Sequence, residues 1–472
     1  MEKKLKIKLS SYLLISAISF AGLILPRKAG LSVPVFVVIQ FICLFFILPK
    51  RTPLFLLIPV FILALNAFIS GNDIWHAANF FVALALYSLM ALLANDDYET
   101  GESSKFIFDV VRNICKPFTH FGLPVQWFQE SNKGQSQLMK RVLSGIAISI
   151  PCLVFLIIIL SSADEIFSGH VRHFFKNSRS VISLYSLFQW AGGLAAGFYL
   201  FGLMYSTRQP HDELTVEINF EFSDLVIINM VLFSILSVYT VFAAIQFQYL
   251  FAGGGELPYG LSYTYYARRG FFELLFLSGV NIFIILLVVN MTKDEDGFGA
   301  GLTKVICCCL CLITFILLFS SFYRMWLYSA DSGLTRLRLL VFGFLFFEAI
   351  GLIFTLLYIV KPQFNILAFY LVIGLTYYLL LNLVSIDSIV ARSQIDRYLA
   401  TGKGDLQYAL NLSTDAASQI SRLLDCDDSR VQAEARRFLA DHSRDYERVS
   451  GWRKFNLSAE KCRIIFQREV KK

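Results

Sequence analysis

Residues 337–360 read LRLLVFGFLFFEAIGLIFTLLYIV. No proline breaks the run, and its only charged side chains are Arg338 near the start and Glu348 at the middle. Crossing about 30 Å of hydrocarbon takes about 20 apolar residues, and in lipid the backbone polar groups of such a segment must be satisfied within it. The stretch is therefore a membrane-spanning helix with one carboxyl group held deep inside.

The rest of the chain follows the same rule. Of 472 residues, 56% are hydrophobic and 16% charged, with a mean hydropathy of +0.61, which is too apolar for a water-soluble globule. The 46 Phe and 21 Tyr suit side chains that meet acyl tails or the headgroup boundary. A net charge of +7 fits anionic lipid and is too small to argue for nucleic acid. The nine cysteines lie mostly in apolar runs and give no disulfide framework.

Apolar tracts predict about eleven spans, within a range of about 10–12, centred on 10–25, 31–48, 53–70, 74–94, 142–160, 181–205, 223–251, 270–291, 302–326, 337–360 and 364–385. The amino terminus has no small-residue cleavage site, so its lysines anchor a retained first span. The fold class is all-α: a polytopic transmembrane bundle with a small soluble helical C-terminal module. The expected divisions are 1–94, four membrane helices; 95–141, an interfacial amphipathic loop with Trp127 as a headgroup anchor; 142–385, a second membrane bundle; and 386–472, the soluble tail. Residues 206–222 form a polar loop with some strand character. Within the tail, a GKG break at 402–404 and an N-cap at Ser413 are expected.

Basic residues at the amino terminus, at 49–52 and in 95–141 favour the cytoplasmic side for these segments. An odd number of spans then puts the tail outside, whereas its arginines favour the inside. A cytoplasmic tail, and with it an even number of spans, is the expectation.

Charged groups within a span cost free energy unless they are paired or hydrated, so they point to function. Glu348 is either a protonatable group on a transport path or a packing device. Asp164 and Glu165 in LSSADEIF (160–167) flank the fifth span, and a local capping role competes with an acid or base role. In YTYYARRGFFEL (263–274), Arg268 and Arg269 can snorkel to phosphates, and Glu273 lies one turn beyond Arg269. Together with Arg324 these make up the candidate set. The spacing Cys308-x-x-Cys311 sits in VICCCLCLITFILLF, where packing outweighs metal chemistry. Gly193 and Gly197 form a GxxxG face for close helix approach. Nucleotide, zinc-protease and hydrolase signatures do not occur; no cofactor or metal is expected, and the balance is against an enzyme.

LSSADEIF, YTYYARRGFFEL, IDSIVARSQIDRYLATGKGDLQYALNLSTDA (386–416) and WRKFNLSAEKCR (452–463) together resemble a bacterial polytopic family of unknown function, the domain group numbered four-one-five-three and four-one-seven-three. The resemblance runs from about residue 90 to the end and implies an inner-membrane protein with a soluble carboxy-terminal segment. It implies no reaction. A structural, sensing or regulatory protein acting through its tail, with a protein partner for that tail, heads the functional classes. A transporter or channel using Glu348 comes second. A lipid-active enzyme gripping anionic headgroups with Arg268, Arg269 and Arg324, and using Asp164 or Glu273 as acid or base, ranks last.

Overall fold

A computed structural model describes residues 3–25, 30–98, 103–124, 126–127, 184–210, 225–247, 271–292, 297–362, 364–448 and 451–469. Every regular element among them is helical. They divide into two compact units, Met1–Leu214 with Asp441–Ile464, and Thr215–Ala440 with Ile465–Lys472. The polar segment 386–472 is thus shared between the two.

The first unit holds α1 (Lys3–Ser19, continued by a π turn Phe20–Ile24), α2 (Ser32–Ile47), α3 (Leu57–Ile69, entered through the 3-10 turn Thr52–Leu56), α4 (Asp73–Leu93), α5 (Ser103–Cys115) and α6 (Leu184–Ser206). The second holds α7 (Leu225–Phe247), α8 (Phe271–Met291), α9 (Phe298–Ser332), α10 (Arg336–Val360), α11 (Ile366–Leu383), α12 (Ile386–Thr401), α13 (Leu406–Leu410) and α14 (Ala417–Ile420). Then follow α15 (Ser429–Glu447) and α16 (Leu457–Glu469).

Eight of the described helices are long and apolar enough to cross a membrane, and the protein is a multi-pass membrane protein. Ten of the eleven expected spans coincide with helices; the other, 142–160, lies outside the described residues, as does most of 206–222. The outward faces of α7 and α8 carry Phe233, Val238, Phe276 and Phe283, each more than 60% exposed, a surface that only lipid tolerates on this scale. With 16 residues, α2 rises about 24 Å, short of the hydrocarbon layer, whereas the 35 residues of α9 rise about 52 Å. The helix therefore overshoots the expected span 302–326 at both ends. No proline stops it, and it ends only at Gly333, whose φ of +74° favours a residue without Cβ.

In the first unit α1 pairs most extensively with α6. The GxxxG face finds its partner here: a Cβ on Gly193 would stand 2.5 Å from Ala21 Cβ, and one on Gly197 would stand 2.7 Å from Ala17 Cβ and 2.8 Å from the Leu13 carbonyl. The helices are antiparallel, since the higher residue on α6 meets the lower one on α1. Gly197→Leu is expected to cost about 1–3 kcal/mol by overpacking and to lower the thermal midpoint of the detergent-solubilised protein. An unchanged midpoint would contradict the close approach.

The amphipathic helix expected within 95–141 forms as α5, with its polar side turned inward. Asp109 and Asn113 are buried while Phe108 and Val111 are exposed. Asn113 Nδ2 donates to the Ser88 carbonyl at 2.9 Å, and Ser88 Oγ donates to the Val110 carbonyl at 3.0 Å. Trp127, expected at the headgroups, packs edge-on against Phe201 and Tyr205, with the Lys6 ammonium over its ring.

The two ends of this unit are distinguished by their contacts. At one end Lys8 Nζ donates to the Phe46 carbonyl, Lys50 Nζ to Asn95 and Arg208 to Ile47, so the start of α1 shares this end with the ends of α2, α4 and α6. At the other, the Leu31 amide donates to the Phe455 carbonyl at 3.0 Å, and Asn456 Nδ2 donates to the Ala67 and Ser70 carbonyls at 3.0 and 2.7 Å. The tail segment 454–456 is therefore fastened across the unit from the N-terminal lysines.

Candidate functional site

Two polar groupings stand out in the second unit. The first surrounds Glu348. Thr335 caps α10, its side chain accepting from the Arg338 amide, and Glu348 lies twelve residues from Arg336, about 18 Å along the helix. It is 4% exposed. Among the described residues neither carboxyl oxygen makes a hydrogen bond of normal geometry, and no ion pair includes it. The hydroxyl set beside it, Ser278 on α8, directs its proton to the Leu275 carbonyl at 2.8 Å.

Other polar groups line up near this carboxyl. Tyr370 on α11 lies within electrostatic range of Glu348 and Cys311, in space left by Gly351, where a Cβ would meet the Tyr370 ring at 2.7 Å. Thr355 Oγ1 donates to the Gly351 carbonyl at 3.0 Å, so the 2.7 Å contact between Tyr370 and Thr355 has tyrosine as donor. Asn281 Nδ2 donates to Thr314 Oγ1 at 3.1 Å. A polar seam thus runs through α8, α9, α10 and α11, otherwise walled by apolar side chains. Cys307 and Cys311 belong to that buried core.

The second grouping fastens the polar segment to the start of α10. Arg336 grips Asp387 with two nitrogens, Nε to Oδ1 at 2.5 Å and Nη2 to Oδ2 at 2.6 Å. The carboxylate is 1% exposed and also accepts from the Ser413 amide at 3.1 Å and hydroxyl at 2.5 Å. Burial pushes the Asp387 carboxyl up, but Arg336 and Ser413 together outweigh it and hold it below the usual aspartate value. Gln394 on α12 donates to the Leu334 carbonyl at 2.7 Å and accepts from the Asp405 amide at 3.0 Å. The Arg338 guanidinium reaches the Gly333 carbonyl and lies 3.7 Å over the Tyr328 ring. The α9–α10 turn is held from both sides, and α10 joins this clasp to Glu348.

A family described as a domain of unknown function, DUF4153, matches residues 57–423. The chain belongs to the DUF4153 family. The match starts earlier than the resemblance from residue 90 and stops before WRKFNLSAEKCR. Glu348, Arg336, Asp387 and Ser413 all lie inside the DUF4153 region. No curated protein and no solved structure matches the chain.

Of the candidates read from sequence, Glu348 and Arg324 are both buried at 4% exposure, on α10 and α9. Glu273 occupies the first turn of α8, and its side chain, like Arg268, Arg269, Asp164 and Glu165, lies outside the described residues. Sequence reading found Ser413 as a cap, and its side chain accepts from the Asp415 amide. It missed the other role of Ser413 on Asp387, and it missed Asp387, Arg336 and Gln394 altogether. Arg336 and Asp387 each sit at the edge of an apolar tract, where a charge reads as a membrane flank. The available signal was the pairing of a helix-start arginine with an aspartate just after the last span.

Proposed function

We propose that this DUF4153 protein is a regulatory or sensing protein of the bacterial inner membrane, in which the polar helical segment responds to the position of α10. The carrying observation is the bidentate Arg336–Asp387 pair, which ties that segment to the span bearing Glu348. With the N-terminal lysines in the cytoplasm, segment 451–456 then faces the outside, and a protein partner for the tail is to be sought there. A cell in which Asp387→Asn replaces the wild type, at equal membrane abundance, should reproduce the phenotype of a clean deletion. Full function with the clasp opened would refute the reading.

A second reading rests on the polar seam. An acid without a hydrogen bond of normal geometry, bordered by Ser278 and Tyr370, suits a proton-coupled path. Under this reading, Glu348→Gln should abolish proton flux into proteoliposomes of the purified full chain. Flux that is absent from the wild type, or equal in the variant, removes it.

A further inference from the structure

The first unit contains a cavity of about 510 Å³, within the size range of pockets that enclose a small ligand. Its wall comes from the end of α1, the start of α2, the end of α3, the first half of α4, the turn after α5 and the middle of α6. These helix ends place it in the half of the unit remote from the N-terminal lysines. Its lining runs along α4 from His76 to Tyr87, eleven residues or about 16 Å, so it is elongated along the helix axes. Phe80 and Phe118 line it and are themselves 50% and 61% exposed, which puts a mouth on the lipid-facing surface.

The wall is mostly hydrocarbon. Asn79 Nδ2 donates to the Leu63 carbonyl at 3.3 Å and the Tyr199 hydroxyl to the Ile114 carbonyl at 3.0 Å. His76 Nε2 and the Tyr87 hydroxyl are buried without a hydrogen-bond partner among the described residues, but they stand about 16 Å apart along α4 and cannot share one water. The other lining side chains are aliphatic or phenylalanine. A water molecule needs two to four polar partners to settle in a cavity. The bilayer, in contrast, presents hydrocarbon chains at the mouth.

The rim supplies a charged complement. The backbone of Lys454 packs against Gly30, where a Cβ would stand 2.7 Å away, three residues from the lining residue Val33. Asn456 bonds the carbonyl of Ala67, another lining residue. Trp452 is 53% exposed, and the Arg453 guanidinium lies 5.9 Å over its ring. An exposed Trp beside two cations is the composition of a headgroup contact.

We propose that the cavity binds one acyl chain of an anionic phospholipid, with Arg453 and Lys454 holding its phosphate at the rim. The full chain, reconstituted into phosphatidylcholine nanodiscs containing a minor fraction of phosphatidylglycerol with an acyl-chain diazirine, tests it. Irradiation should cross-link peptides covering 60–67 and 76–87. Ala83→Phe and Ala196→Phe, which fill the cavity from α4 and α6, should each remove that cross-link with helix content unchanged; having two variants guards against either failing to fold. The double change Arg453→Gln with Lys454→Gln should lower the preference for phosphatidylglycerol over phosphatidylcholine by roughly tenfold or more. Cross-links spread evenly over exposed faces and insensitive to both Phe variants would overturn the cavity assignment. An unchanged lipid preference in the double variant would overturn the headgroup contact.

Discussion

Asp387→Ala should release α12 from the head of α10, at a cost of about 3–5 kcal/mol. The substitution strands a guanidinium that is only 29% exposed, and it removes the acceptor for both the Ser413 amide and hydroxyl. Breaking one side of a buried pair costs far more than the pair itself contributes, because the remaining charge stays desolvated. Hydrogen exchange should report this as amides of α12 opening about two to four orders of magnitude more readily. In an Arg336→Met background the same change should cost much less, since no charge is left stranded. Exchange that is equal in wild type and Asp387→Ala would show that the carboxylate holds nothing.

The pH dependence of the clasp follows from the same groups. A carboxyl held below its ordinary value stabilises the fold fully above its unfolded pKa, near 4, and loses that contribution only as pH falls through the lower folded value. Between about pH 5 and 8 the Asp387 carboxylate is charged and the clasp is closed. Intrinsic-rate-corrected protection of α12 should therefore be flat across that window and fall only in acid. Any switching at neutral pH belongs to another group.

What could be read from the sequence is what a local pattern encodes. Apolar runs located ten helices, the GKG break ends α12 at Gly402 with φ +72°, and the glycine pair on α6 does permit close packing. Glu348 was found because a carboxyl inside an apolar run is conspicuous without any partner. Asp387 was not, since its meaning comes from Arg336, 51 residues away. The inward turn of α5 was hidden for a similar reason: its amphipathic spacing reveals two faces, but which one meets protein depends on Ser88 and α6 being there to receive Asn113. The length of α9 was underestimated because a hydropathy window ends where polarity begins. The helix itself continues until Gly333, with Arg397 donating to the Ala330 carbonyl in its last turn at 3.2 Å.

The side of the tail has the sharpest expected outcome. In a chain freed of its nine cysteines, single cysteines at Lys4→Cys and Arg448→Cys should react with a membrane-impermeant maleimide in opposite patterns. Arg448 is 78% exposed in its side chain and lies four residues before Trp452, next to the segment that bonds Leu31 and Ala67. With the lysine cluster inside the cell, Arg448→Cys should label in intact cells and Lys4→Cys only after lysis. The pattern is the same for any number of spans, because α1 begins at the end of the unit where Lys8 meets Phe46 and finishes at the end where Phe455 meets Leu31. Reversing the whole protein in the bilayer would exchange the two patterns; labelling of both positions from one side would break the fold described here. An outward tail also changes where a partner is sought: a ligand on that face can reach Arg453 and Lys454 without crossing the membrane.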